Sequence, residues 1–242
     1  MGNSRLKNSA LNFASGFLGR VLTILLNFIV RTIFIHCLNE AYLSVNGLYS
    51  NILTVLSLAE LGFGSAMVFR MYAPVAAKDY QKTAALLHFY KKIYAIIGAV
   101  IFGLGLCVIP FMDYIIKDKP DVSGLTLYYI LFLINTTISY WFASYKASVL
   151  YADQKEYIKT NVQNATTILQ SVLQIVLLLI FRKYLLYLLV QLGCNIILNL
   201  YVAHLVDKRY PQIREHQDAR LTSDERGQIK KDAEALVLSR FG

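Results

Sequence analysis

The sequence predicts an all-α fold: a polytopic membrane protein with six transmembrane helices. Apolar residues fill 56% of the 242 positions and charged residues only 16%. Soluble domains run near 45–50% and about 25%. The apolar residues also fall in long blocks, and a helix needs about 20 of them to cross a bilayer core of roughly 30 Å. This apolar content excludes a disordered chain. With 13 Gly, 4 Pro and 3 Cys, collagen-like, Pro-rich and disulfide-framework chains are excluded as well. The runs lack the period-two alternation of a transmembrane barrel.

The spans are expected at about 8–38, 41–72, 91–112, 125–146, 160–181 and 184–206, so residues 1–206 make one six-helix lobe. The runs Ile93–Met112, Leu125–Tyr145, Asn161–Phe181 and Tyr184–Val206 contain no Lys, Arg, Asp or Glu. The first span carries Arg20 and Arg31, and the second carries Glu60 and Arg70. Turn signals separate them. Asn39-Glu40 divides spans one and two, Pro74 and Lys78–Lys82 divide two and three, and Asp113–Ser123 with Gly124 divides three and four. Tyr151–Lys159 divides four and five, and Arg182-Lys183 makes a hairpin between five and six.

Orientation follows from Lys and Arg in the connections. With the N-terminus inside, seventeen of the 24 basic residues are cytoplasmic and only Lys117, Lys119, Arg182 and Lys183 are outside. The arrangement is therefore N-in and C-in. The net charge of +9 reflects topology and attraction to anionic inner-leaflet lipid, and no nucleic acid is implied. Residues 207–242 form a cytoplasmic linker. Thr222 and Glu225 have capping-box spacing, and Ile229, Ala233, Leu236 and Val237 give an apolar stripe, so an amphipathic helix is expected there.

Charged groups inside a span cost at least about 2.5–3.5 kcal/mol near the bilayer centre, so they should face protein or water. Arg20 and Arg31 are eleven residues apart, about 20° beyond three turns and some 16 Å along one helix face. Asn27 lies between them on that face. The stripe reads as a cation-lined cavity for an anionic ligand, or as snorkelling arginines, or as ion pairs with Glu60. Glu60 shares a face with Asn46, Leu53, Ser57 and Gly64, and could pair with an arginine or bind a coupling ion, H+ or Na+. Span four aligns Tyr128, Asn135, Ser139, Phe142 and Lys146. Span six steps through Gln191, Asn195 and Asn199. Such amides serve either as glue between helices or as the walls of a hydrated cavity. The candidate substrate-binding set is Arg20, Asn27, Arg31, Glu60, Asn135, Lys146 and Asn195. In span three, Ala95, Ala99 and Gly103 form a small-residue packing face. No catalytic motif, metal-ligand spacing or cofactor signature is present, so no enzyme, metal or cofactor is implied.

The run Ser57-Leu-Ala-Glu-Leu-Gly-Phe-Gly-Ser-Ala-Met-Val-Phe69 resembles the second-span signature of bacterial polysaccharide flippases. So do Asp79-Tyr80 with His88-Phe-Tyr-Lys-Lys-Ile-Tyr94, and Ile138-Ser-Tyr-Trp-Phe-Ala-Ser-Tyr-Lys146 running into Leu150-Tyr-Ala-Asp-Gln-Lys155. That family belongs to the multidrug, oligosaccharidyl-lipid and polysaccharide exporter superfamily. The resemblance implies a multi-pass protein of the bacterial plasma membrane. It also implies two six-helix lobes about a central cavity, turning an undecaprenyl-pyrophosphate-linked oligosaccharide from the inner to the outer leaflet by alternating access. Such export serves capsule, exopolysaccharide or O-antigen-type synthesis. On this reading the chain is an N-terminal lobe ending before a seventh span, and it needs a second lobe or a dimer partner.

Two other readings stay open. A multidrug or cation extruder of the same superfamily would depend on Glu60 rather than the arginines. A non-transporting scaffold, or an inactive fragment, would depend on neither.

Overall fold

The computed structural model describes residues 2–57, 63–115, 124–142, 144–216, 218–229 and 231. It is helical, with no strand among the described residues. In order come α1 (Gly2–Leu38), α2 (Glu40–Ser57), α3 (Phe63–Ala76) and α4 (Tyr80–Val108). A 3-10 turn (Ile109–Phe111) leads into α5 (Met112–Ile115). Then follow α6 (Leu125–Trp141), a second 3-10 turn (Ser144–Lys146), α7 (Ala147–Ala152), α8 (Glu156–Phe181), α9 (Tyr184–Arg209) and α10 (Pro211–Glu215). Residues 223–229 form α11.

Among the described residues, four helices are long and apolar enough to cross a membrane: Leu6–Leu38, Tyr80–Phe111, Glu156–Phe181 and Tyr184–Arg209. Leu125–Trp141 and Ser144–Ala152 make a fifth if this pair, bent by 46°, counts as one span. The six expected spans are thus matched in part. The expected second span divides into α2 and α3, with residues 58–62 outside the described set. The 18 residues of α2 reach about 27 Å, but Ser44, Asn46, Ser50, Asn51, Thr54 and Ser57 dilute its apolar character. Helix α3 has only 14 residues and contains Pro74.

The turns follow local chemistry. Asn39 takes φ 84°, and its Oδ1 accepts the N–H groups of Ala41 and Tyr42 at 3.0 and 3.4 Å. This stops α1 and caps α2 in one residue. Arg182 closes α8 in the left-handed region at φ 49°. Helix α4 begins at Tyr80, well before the expected start at 91. The Asp79 carboxylate accepts the Lys82 N–H at 2.9 Å and so starts the helix at the connection expected over Lys78–Lys82.

Two clusters hold the bundle. One packs Phe34, Leu38, Val45, Tyr49, Leu53, Tyr129, Leu133, Leu178 and Tyr184 from α1, α2, α6, α8 and α9. Rings of Tyr42, Tyr128 and Tyr184 meet there at centroid distances of 4.8–6.4 Å. The other packs Met67, Met71, Leu86, Tyr90, Val149, Leu150, Val202 and Val206 with Leu221 and Ile229. Buried phenols donate to main-chain carbonyls: Tyr49 to Leu125, Tyr129 to Gly105 and Tyr90 to Met67, at 3.0–3.1 Å. At the second cluster's end the turns at 77–79 and 153–155 gather with Tyr210 and the linker. The Asn12 side chain joins them, donating to the Gln154 carbonyl and accepting the Tyr157 N–H. The basic residues of these turns therefore collect at one end of the bundle.

Contact between α4 and α6 depends on glycine, but not on the face expected. Ala95, Ala99 and Gly103 are exposed. Gly98 and Gly105 are buried instead. A Cβ on Gly98 would lie 2.8 Å from Trp141 Nε1 and 2.9 Å from Tyr140 Cβ. Trp141 is itself fixed, donating to the Ala95 carbonyl at 3.3 Å and packing on Phe102. The linker contact has the expected capping box: Thr222 Oγ1 accepts from Glu225 N–H, and Glu225 Oε2 accepts from Thr222 N–H. Glu225 also pairs with Lys82 of α4. Of the expected apolar stripe, Ile229 is buried, and Ala233, Leu236 and Val237 lie outside the described residues.

Gly98→Val should lower stability by about 1–3 kcal/mol, as overpacking does. Ala99→Val, one residue along on the exposed face, should stay within about 0.5 kcal/mol. Thermal unfolding of the two purified variants in detergent checks the difference.

Candidate functional site

Arg20, Asn27 and Arg31 are all exposed on α1. Helix α1 packs chiefly on α8. There Gly19 admits the Asn164 side chain, which donates to the Ser15 carbonyl at 3.2 Å. The arginine stripe lies to one side of that seam. Arg20 and Leu38 are 18 residues apart, about five whole turns, while Asn27 to Phe34 and Arg31 to Leu38 are about two turns each. Phe34 and Leu38 are buried with Val45, Tyr49 and Leu53 of α2. The stripe therefore continues the face that α1 buries near the hairpin, where Phe34 meets Tyr184 and Tyr187 of α9, and it is left open further down. Exposed Phe17, Ile24 and Phe28 border it.

Helix α2 adds a polar surface that the sequence reading missed. Leu53 is buried and Asn46 accepts the Tyr184 hydroxyl at 3.2 Å, so the face expected to accompany Glu60 is the packed one. Exposed instead are Ser44, Gly47, Ser50, Asn51 and Thr54, whose spacings of three and four were the available signal. Glu60 itself lies outside the described residues.

Asn135 and Asn195 come together between α6 and α9. Asn195 Nδ2 donates to the Asn135 carbonyl at 2.8 Å and to its Oδ1 at 3.1 Å. Asn199 Nδ2 donates to Asn195 Oδ1 at 2.9 Å, and Ser144 Oγ donates to Asn199 Oδ1 at 2.7 Å. Four side chains thus form one ladder across the two helices. Lys146 is at the basic end, where Nζ donates to Asp207 Oδ1 at 2.6 Å. The structure therefore separates the seven candidates: three on the open face of α1, two in the ladder, one in an ion pair with Asp207 in the last turn of α9, and Glu60 undescribed.

A different cation faces the main cleft. A cavity of about 690 Å³ opens between α3, α4, α6, α7 and α8. Its walls include Ser65, Tyr72, Tyr94, Ser139, Ser148, Tyr151, Glu156 and Lys159. Lys159 Nζ donates to the Tyr151 hydroxyl at 2.7 Å and lies 5.2 Å from that ring's centroid. A second cavity of about 260 Å³ shares Ser139, Ser144, Ala147 and Lys159, and adds Gln163, Asn195 and Asn199. Ligand cavities span roughly 300–1,000 Å³ and set a few polar groups among apolar and aromatic walls. Hydroxyls, amides, phenol rings, one ammonium and one carboxylate suit a polyhydroxylated ligand. The signal for Lys159 was the polar face of Gln163, Gln170 and Gln174, which extends back four residues to it. It was hidden because α8 begins at Glu156, inside what read as a connection.

No family model matches the chain, and no curated protein or solved structure matches it.

Asn195→Leu removes the centre of the ladder and should cost about 0.6–1.7 kcal/mol, from the average to the largest value for a hydrogen bond between membrane helices. Asn51→Leu on the open face of α2 should cost less than half as much. Thermal unfolding in the same detergent ranks the two.

Proposed function

We propose that the chain is one lobe of a membrane exporter that turns a lipid-linked anionic oligosaccharide across the bacterial plasma membrane, in the manner of the polysaccharide flippases it resembles. One observation carries the reading: Arg20, Asn27 and Arg31 lie exposed along one face of α1, in line with the face it buries near the hairpin. Guanidinium groups left against acyl chains are costly, so this face is suited to water, to a second lobe and to an anionic headgroup. Arginine also matches the paired oxygens of a pyrophosphate. The serine- and tyrosine-lined cleft at Lys159 supplies a surface suited to sugar rings.

In this mechanism the arginines hold the pyrophosphate by charge and hydrogen bonds, and the glycan lies toward the polar walls. A second lobe, or a second copy, closes the open face. Alternation between two lobe arrangements exposes the same groups to either leaflet. The first span and the basic loops then lie as the positive-inside bias directs.

The test is binding of a fluorescent undecaprenyl-pyrophosphate oligosaccharide to the chain in nanodiscs. Arg20→Ala with Arg31→Ala should weaken binding at least about tenfold, and the Lys pair should restore only part of it, because an ammonium keeps the charge but not the paired donors. Wild-type affinity in the Ala pair would overturn the anion-carrier reading. Vesicles holding this chain alone should bind the lipid without translocating it; translocation by them would remove the need for a second lobe.

A further inference from the structure

Two cups open at the basic end, on either side of Tyr210. The first, about 350 Å³, has Lys91, Lys146 and Arg214 with one carboxylate, Asp207, and its floor includes Leu87 and Val206. The second, about 260 Å³, has Lys78, Lys155 and Arg209 with one carboxylate, Asp153. Tyr210 and Ile213 line both. Each cup therefore carries three cationic side chains against one anionic one.

The dividing wall is fixed. Tyr210 donates its hydroxyl to Asp153, which also accepts from Lys155, and the Lys155 ammonium lies 5.8 Å from the Tyr210 ring centroid. Burial, and then the bond to Asp153, push the Tyr210 hydroxyl above the usual phenol range, so it stays a neutral donor. Asp153 and Asp207 are thus engaged with residues of the cups' own walls, Asp207 with Lys146. Lys78, Lys91, Arg209 and Arg214 are exposed.

We infer that these paired cups bind the phosphodiester headgroup of an anionic phospholipid, with Leu87, Val206 and Ile213 against its glycerol and upper acyl carbons. Basic pockets between membrane helices at the cytoplasmic side have this chemistry, and each basic residue near an anionic surface adds to the attraction. The cups lie at the end where α4 and α9 leave their apolar stretches, so headgroup and acyl chain meet the residues suited to each. A soluble phosphate would use the cationic groups alone and gain nothing from the apolar floor.

The experiment titrates the full chain in detergent with fluorescent phosphatidylglycerol and phosphatidylcholine. Phosphatidylglycerol should bind at least about tenfold more tightly, and Lys78→Gln, Lys91→Gln, Arg209→Gln and Arg214→Gln together should erase most of that preference. Arg182→Gln with Lys183→Gln, at the opposite end, should leave it unchanged. Should the fourfold variant lose its thermal transition, the pairs Lys91/Arg214 and Lys78/Arg209 are read separately, each lowering the preference about threefold or more. Equal affinity for the two lipids, retained preference in the variants, or complete displacement by millimolar inorganic phosphate would each overturn the inference. The oligosaccharide-binding experiment on Arg20 and Arg31 is independent of this outcome.

Discussion

The structure depends on satisfying polar groups without water. Helices do this for the main chain, and the only alternative in hydrocarbon is a closed β-barrel. The side chains follow the same constraint. Among the described residues, every buried side-chain nitrogen or oxygen has a hydrogen-bond partner. The ladder from Asn135 through Asn195 and Asn199 to Ser144 is its fullest expression. It ties α6 to α9 at the level where α6 gives way to the Ser144–Lys146 turn. That turn carries Lys146 toward Asp207 and forms part of the wall facing Lys159. The ladder thus sets the position of both the cleft and the basic end.

Polar residues in the bundle consequently divide into two kinds. Those that pair internally, such as Asn46, Asn135, Asn164, Asn195 and Asn199, hold helices together. Those on open faces, such as Arg20, Asn27 and Arg31 of α1 and Asn51 of α2, have surfaces that this chain alone does not cover. The two kinds are chemically alike, and only their direction relative to a neighbour distinguishes them. This is why amide spacing along α6 and α9 suggested a cavity wall as readily as it suggested glue.

The helical class and the four long apolar helices were legible from block length alone. The hairpins at Asn39 and Arg182 were legible too, because a left-handed residue between two apolar runs leaves few alternatives. Less could be read where two helices choose a mutual face. Ala95, Ala99 and Gly103 have the right spacing for close packing, yet Gly98 and Gly105 are used, since the seven-residue step brings Leu133 and Tyr140 of α6 opposite them. Nothing within α4 distinguishes the two faces; the choice lies in α6. Likewise Asp79 starts a helix earlier than hydropathy suggests, because capping acts through one carboxylate and leaves no trace in an apolar average. Lys159 was obscured for the same reason: a lysine four residues into a helix looks like part of a loop until the helix start is known.

Gly98 and Gly105 let two backbones approach without a side chain between them, with Trp141 and Leu133 pressed into the gaps. Such a pair has little freedom to slide or pivot, since small relative shifts drive tryptophan and leucine atoms into main chain. Helices α4 and the upper part of α6 therefore behave as a single stiff plank. Any change of angle between these helices and their neighbours must be taken up beside that plank, at the bend before Ser144, so a mechanical joint lies next to the cleft it would open.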